Sequence, residues 1–450
     1  MKIKEIVTAT KGKLLSGDEE LEIIGFSQDS RKVKEGMMYI PLIGERFDGH
    51  DFISSAFDNG ASAIISDRVI EDEKHAVILV DDTLLALQDM ARYVRENRDV
   101  TVVGITGSVG KTSTRDMVYS VIKQQYRTLK TEGNYNNNIG LPLTILRWQD
   151  EQVMVLEMGM NHLKEMEELS LIARPDISAI TNVGTAHIGE LGSRENILKA
   201  KMEIVAGMKD GSTLVLNNDN DMLSSVTLER LNIVTVAIDG KGDFKAENVS
   251  LDIDHSEFDL VYQDKKYHVY VPVAGKHFIT NALIAFAIGL QLNIDIEKCI
   301  QGIREFKLTK NRMDVIKLNN NITLIDGTYN ASEDSMKSSL DVLATYKNRK
   351  IAVLADMLEL GEYSKEIHQR VGQYVVNKKI DILVAVGKEA KNIVQAAKDM
   401  KMENIYYCQD NQEVINYLLE SLQNDDVVLL KGSNGMKLKD VVNKIEEKLS

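Results

Sequence analysis

A lysine and a threonine that follow a glycine-bearing turn are the first residues in this chain whose types and spacing could do chemistry. They stand in residues 101–115, TVVGITGSVGKTSTR. The run 102–106 is rich in β-branched residues and reads as a buried parallel strand, and a helix opens at Lys111. Between them lie Gly107, Ser108, Val109 and Gly110. A turn of this kind aims backbone N–H groups at one point, and the helix dipole adds positive potential there. Lys111 brings a full charge to outer phosphates, and the Thr112 hydroxyl can bind Mg²⁺. The loop departs from the strict Walker pattern, because Ile105 stands where that pattern has its first glycine. A turn that merely packs a helix on a sheet is the other reading; Lys-Thr after glycine, between strand and helix, favours a nucleotide phosphate.

Other polar residues fall at the ends of predicted strands. Strand 153–156 ends in Glu157, where parallel sheets place their chemistry, so Glu157 is a Mg²⁺-ligand candidate or a solvated strand end. Strand 177–180 leads to Asn182 and His187, the latter a site residue or a turn histidine. A helix over 194–208 carries Lys199, Lys201 and Glu203, a solvated face by default. A desolvated lysine there could take up CO₂ and become an oxygen-donor carbamate. Residues 134–138 hold four asparagines, suited either to a substrate bearing carboxylates and amides or to an Asx-rich turn. Asn281, in an alanine-rich helix, could bond an adenine edge. Residues 29–31 (Asp-Ser-Arg) and the loop 44–52 are rich in ligand-binding types, and a solvated connection is equally open.

The elements that position these residues divide the chain. Its 450 residues suggest about three domains. Residues 1–98 alternate short strands (38–42, 63–65, 76–80) with helices (51–59, 83–97), and Pro41 makes the first strand an edge strand at best. Residues 99–310 carry the phosphate loop, then an antiparallel excursion over 243–273. Residues 311–450 alternate strands and helices without a G-x-G-x-x-G, which reads as a Rossmann-like sheet without a dinucleotide site. The expected fold is α/β in three domains: a small N-terminal α/β unit, a central P-loop-type parallel sheet and a C-terminal Rossmann-like unit.

Composition excludes some classes. Lys plus Arg is 54 against 68 Asp plus Glu, a net charge of −14, which weighs against nucleic acid or an anionic membrane surface. No apolar run approaches the ~18 residues of a membrane span, and the N-terminus lacks a signal-peptide core, so a cytoplasmic location is expected. Cys299 and Cys408 give neither a disulfide framework nor zinc spacing.

Taken in order, these motifs resemble the Mur ligases, ATP-dependent amide-forming enzymes of peptidoglycan precursor synthesis. The resemblance is carried by Asp29-Ser30-Arg31, the loop 44–52, the phosphate loop G-x-T-G-S-x-G-K-T, residues 133–143, Glu157-Met158-Gly159, residues 181–187 and 200–204, Asn311-Arg312-Met313 and residues 356–361. It is closest to the type that adds D-alanyl-D-alanine to UDP-N-acetylmuramoyl-tripeptide through an acyl phosphate. It implies that Gly107, Ser108, Gly110, Lys111, Thr112 and Ser113 hold ATP, with Asn281 at adenine, Asp326 at ribose and Arg312 reaching in from the third domain. Thr112 and Glu157 would bind one Mg²⁺, and His187 with a carbamylated Lys201 a second. Ser30, Arg31 and Arg46 would meet the UDP-sugar, Asn134 and Asn137 the acceptor channel, and Tyr329 and Asn330 the substrate side of the third domain. A monomer is expected. Two departures touch the amine site. D-D-x-Y-N-A-N-P stands here with Gly327, Ser332 and Glu333 in place of Asp, Asn and Pro, and K-G-S-R with Asn434 in place of Arg. A ligase of this type with a different amine or dipeptide is the alternative that they keep open.

Overall fold

The computed structural model describes residues 1–309 and 312–450; Asn311, the first residue of one motif above, lies outside the described residues. Three sheets follow one another along the chain. The first has five strands. Gly25–Ser27, Met37–Tyr39, Ala63–Ser66 and Ala76–Leu79 run parallel, and Lys13–Ser16 closes the far edge antiparallel to Ala76–Leu79. The proline argument fails here. Met37–Tyr39 is an interior strand, and it can be one because it ends before Pro41, whose missing N–H would otherwise break a ladder. The helix expected over 51–59 is a 3₁₀ turn Gly49–Phe52 running into the helix Ile53–Asp58.

The central sheet has nine strands. Thr128–Lys130, Val153–Glu157, Thr101–Thr106, Ile177–Ile180, Thr213–Asn217, Asn232–Ala237 and Phe244–Leu251 are parallel in that spatial order. Their near-continuous apolar runs fit strands covered on both faces: all five residues of Val153–Glu157 are buried. Ser256–Tyr262 and Lys265–Val271 then turn back antiparallel, so the predicted excursion extends this same sheet instead of leaving it. The alanine-rich helix Lys276–Gln291 packs against the helix that follows the phosphate loop, Lys111–Ile122. The helix expected over 194–208 ends at Met202 and continues as a 3₁₀ turn, Glu203–Val205.

The C-terminal sheet has six strands, five of them parallel: Thr323–Asp326, Val427–Lys431, Lys350–Ala355, Ile382–Val386 and Ile405–Cys408. Asp314–Lys317 adds an antiparallel edge beside Thr323–Asp326. Among the described residues no helix is long and apolar enough to cross a membrane.

The first domain is fastened to the central sheet through one arginine. Arg95, in the helix Thr83–Asn97, donates to the carbonyls of Val100, Ala173 and Arg174 and to Asp176 Oδ2 at 2.7 Å. Asp176 Oδ2 also accepts from the N–H of Val102, at the start of the phosphate-loop strand. Removing the guanidinium strands several acceptors at once, so Arg95→Ala is expected to lower stability by about 2 kcal/mol in urea unfolding.

Candidate active site

The phosphate-loop strand is where the order of the central sheet reverses. Its neighbours are Val153–Glu157 on one side and Ile177–Ile180 on the other, and the chain visits them in that order. Such a reversal leaves a crevice outside the carboxyl ends of the strands. Three segments meet there: the loop 107–110, Glu157 and Thr181-Asn182.

Thr181 and Asn182 set the shape of the loop. Asn182 Oδ1 accepts from the N–H of Val109 at 2.8 Å, and its carbonyl accepts from the N–H of Ser108. Thr181 Oγ1 donates to the carbonyl of Val109, and Ser108 Oγ accepts from the N–H of Gly184. Gly107 has φ +153°, and a Cβ there would stand 1.9 Å from Thr181 Oγ1. Gly110, at φ +87°, then starts the helix Lys111–Ile122, whose first-turn N–H groups have no acceptor within the helix. Lys111 Nζ donates to the carbonyl of Gly107 at 2.8 Å, so its charge lies across the mouth of the loop.

Glu157 is 3% exposed and fully engaged. Oε2 accepts from Thr112 Oγ1 at 2.8 Å and from Arg115 Nη1 at 3.0 Å, and Oε1 accepts from Asn136 Nδ2 at 2.8 Å. Arg115 also pairs with Asp116, which Lys130 and Thr309 join. The Thr112 hydroxyl and Glu157 carboxylate are thus adjacent hard oxygen donors. They fit Mg²⁺, which takes one or two protein oxygens and fills its octahedron with water and phosphate. Among the described residues no group of three or more His, Cys, Asp or Glu side chains converges as a metal site.

A cavity of about 360 Å³ lies between this wall and the C-terminal domain. Of the predicted residues it brings together Ser108, Gly110, Lys111, Thr112, Ser113, Glu157 and His187 from the central domain with Arg312, Tyr329 and Asn330 from the C-terminal one. The guanidinium of Arg312 stacks on the Tyr329 ring at 3.9 Å, and its buried Nε has no partner. Lys431 and His277 also line the cavity, although the motif reading assigned neither a role. Lys431 ends a central strand of its sheet and donates to the carbonyls of Asn330 and Gly327. A lysine at the carboxyl end of a buried strand was the available signal.

Positive charge dominates this cavity. Burial lowers the Lys111 ammonium from its ordinary value, and Arg312 lowers it further while Glu157 opposes. Burial and Arg312 push Lys431 down to about 8, against Asp326. His187 is held at about 4 by burial, then by Lys111 and Lys201, so its imidazole is neutral at pH 7. Burial, with Lys431, does the same for His277, also to about 4.

The remaining predicted residues lie elsewhere. Gly107 backs the loop without lining the cavity. Lys201, in the helix Arg194–Met202, is 2% exposed; burial and then Lys111 put its ammonium well below the ordinary value. Asn281 does not reach the cavity as an adenine reader would: its Oδ1 accepts from Thr114 Oγ1, and its buried Nδ2 is without a partner. Asp326 is closed off from a ribose in this arrangement, because it is fully buried with Oδ1 on Thr328 and Oδ2 on Lys439 at 2.7 Å. Asn137 caps the helix Gly140–Ile145 through the N–H of Gly140, and Asn134 is exposed. Ser30, Arg31 and Arg46 stay in the first domain, off this cavity, with Arg31 forked onto Asp29. Of the three departures, Ser332 and Asn434 line the cavity. Glu333 turns away to Arg370 and Lys337.

Comparison with known proteins follows the same division of the chain. Residues 22–95 match the family model for the Mur ligase family catalytic domain, 105–289 the Mur ligase middle domain, and 311–434 the Mur ligase glutamate ligase domain. The UDP-N-acetylmuramoyl-tripeptide--D-alanyl-D-alanine ligase of Bacillus subtilis (strain 168) is 36% identical over 99% of this chain and 98% of its own. A crystal structure of MurF from Acinetobacter baumannii superposes with a TM-score of 0.92 at 30% identity, covering 99% of this chain and 98% of that one. MurF ligase from Thermotoga maritima in complex with ADP gives 0.85 at 30% identity, over 94% and 97%.

Gly107→Ala forces a methyl group into Thr181, so the loop must open. Calorimetry is expected to show nucleotide affinity falling at least tenfold, with unfolding little changed if the distortion stays local. His277 supplies a pH test. The unfolded chain takes up its proton near 6.5 and the folded one only near 4, so this contribution to stability is complete above pH 6.5 and is lost as pH falls towards 4. In His277→Gln the loss of unfolding free energy between pH 7 and pH 5 is expected to be smaller than in the unaltered protein.

Proposed function

The chain belongs to the Mur ligase family, and from that premise we propose that it joins D-alanyl-D-alanine to UDP-N-acetylmuramoyl-tripeptide, with ATP converted to ADP and phosphate. The observation that carries the reading is the cavity itself. A phosphate loop forms one wall, and the strand ends of a second α/β domain form the other. A binding module has no need to hold its phosphates against a second domain. A ligase does, because its activated intermediate must be kept from water.

A carboxylate is a poor acyl donor. In the proposed reaction a carboxylate oxygen of the tripeptide attacks the γ-phosphorus, the bond to the β-phosphate oxygen breaks, and ADP departs. The dipeptide amine then attacks the acyl carbon and gives up a proton, and the carbon–oxygen bond to phosphate breaks. Lys111 and the loop N–H groups neutralise and orient the phosphates. Arg312, fixed on Tyr329, brings a second cation from the opposite wall. Thr112 and Glu157 would hold one Mg²⁺, and His187 with Lys201 would serve a second. Such ions supply the positive charge that lets a carboxylate approach a triphosphate.

Lys201 is proposed as a carbamate. Its amine is buried, is kept neutral by desolvation and by Lys111, and has no carboxylate partner among the described ion pairs. A neutral amine takes up CO₂ and releases a proton, and the resulting anion would lie near Lys111. Tyr329, Asn330, Ser332 and Asn434 are proposed to face the amine substrate. Ser30, Arg31 and the loop with Arg46 are proposed for the UDP-sugar, and Asn134 with Asn137 for the acceptor channel. Work on a nucleotide-linked precursor with ATP assigns the protein to the cytoplasm.

The test is phosphate release with UDP-N-acetylmuramoyl-tripeptide, ATP and Mg²⁺ across a panel of amines. D-alanyl-D-alanine is expected to give one phosphate per pentapeptide formed; no turnover with it and turnover with another amine would move the protein to the alternative substrate. Lys201→Ala is expected to lose most activity and to regain part of it with millimolar acetate or formate. Full activity without any additive would remove the carbamate assignment.

A further inference from the structure

The C-terminal domain touches the His187 end of the cavity through residues 357–363. Glu359 Oε2 lies 2.9 Å from His187 Nδ1. The carbonyl of Glu359 accepts from the N–H of Gly189 at 3.2 Å, and Tyr363 Oη donates to the carbonyl of Gly192 at 2.5 Å. Gly189 and Gly361 meet so closely that a Cβ on Gly189 would stand 2.7 Å from the Glu359 carbonyl oxygen. Glu359 itself is held at φ +64°, in the left-handed region that a side chain seldom adopts. His187, at φ +63°, is too. Two strained residues therefore face each other across a domain boundary, each held by the contacts around it.

Stability does not account for this arrangement. The Glu359 side chain is 59% exposed, and an ion pair so open to water adds little. Its geometry does have a chemical use. An imidazole offers two nitrogens, and the partner of one fixes the tautomer that leaves the other as a ligand. We propose that Glu359 is a positioning residue: it accepts the Nδ1 proton of His187 and so presents Nε2, unprotonated, to a divalent cation in the cavity. The inference rests on the reading of His187 as a metal-side residue. Because Glu359 and His187 belong to different domains, the ligand nitrogen is fixed only when the two domains are docked. Metal binding and domain docking are thereby made to depend on each other.

The experiment uses the full chain and two readouts independent of turnover. Imidazole ¹⁵N spectra of the metal-free protein report the His187 tautomer, and Mn²⁺ titration in the presence of ADP, followed by electron paramagnetic resonance, reports metal affinity. Glu359→Gly removes the carboxylate and suits φ +64°. It is expected to shift His187 from the Nδ1–H form to a mixture and to weaken Mn²⁺ binding tenfold or more. Glu359→Gln, whose amide oxygen still accepts, is expected to stay within threefold of the unaltered protein. It keeps the comparison open if the glycine variant does not fold, because a tenfold loss there would itself contradict the inference. An unchanged tautomer and affinity in Glu359→Gly, with binding weakened in His187→Asn, would overturn the role of Glu359 alone. Unchanged affinity in both would overturn the metal-side reading of His187, and this inference with it.

Discussion

Like charge held close together is the constraint on which the rest of this structure depends. Lys111, Arg312 and Lys431 line one cavity, and Lys201 is buried near Lys111. Each depresses a neighbour: Arg312 acts on Lys111 and Lys431, Lys111 on Lys201, and Lys111 with Lys201 on His187. Glu157 opposes on one wall and Asp326 on the other, but Glu157 is already shared with Thr112 and Arg115, and Asp326 with Lys439. Two of these cations come from the central domain and two from the C-terminal domain. Bringing the domains together therefore gathers charge that only a polyanion can neutralise, and a triphosphate between the walls makes the docked arrangement favourable.

The scaffold answers to that demand. A turn of N–H groups needs a loop with no room for side chains at its tightest points, which Gly107 and Gly110 provide. The loop must not collapse when empty, and Thr181 with Asn182 brace it from the next strand. The order reversal of the central sheet puts those braces on one side and Glu157 on the other. The reaction places the same requirement on the second domain. An acyl phosphate survives only where water is kept out, so the residues that complete the site arrive with the domain that closes it.

Much of this was legible in the sequence, for reasons that differ from element to element. The strand Thr101–Thr106 and the helix Lys111–Ile122 are fixed by local pattern, a β-branched run and a glycine turn, and both stand where the pattern puts them. The Pro41 argument went astray because a proline limits only the residue it occupies, and the strand stops at Tyr39. Asn281 and Asp326 look like ligand-facing polar residues, yet Thr114 and Lys439, far away in sequence, engage them in the folded chain. Lys431 escaped notice because nothing local marks it. Its importance comes from neighbours contributed by other segments, Arg312 foremost. Sequence pattern reports what each element is, whereas mutual electrostatics arises only once the elements have been packed.

The most direct test of this account is the proton balance of nucleotide binding. Calorimetric titration of a non-hydrolysable ATP analogue near pH 8, without metal and in buffers of differing ionisation enthalpy, counts protons taken up per nucleotide. Lys431 lies at about 8 in the free protein, and a polyanion beside it must raise that value. The account predicts net proton uptake, lost in Lys431→Met. Proton release, or none exchanged in the unaltered protein, would contradict it.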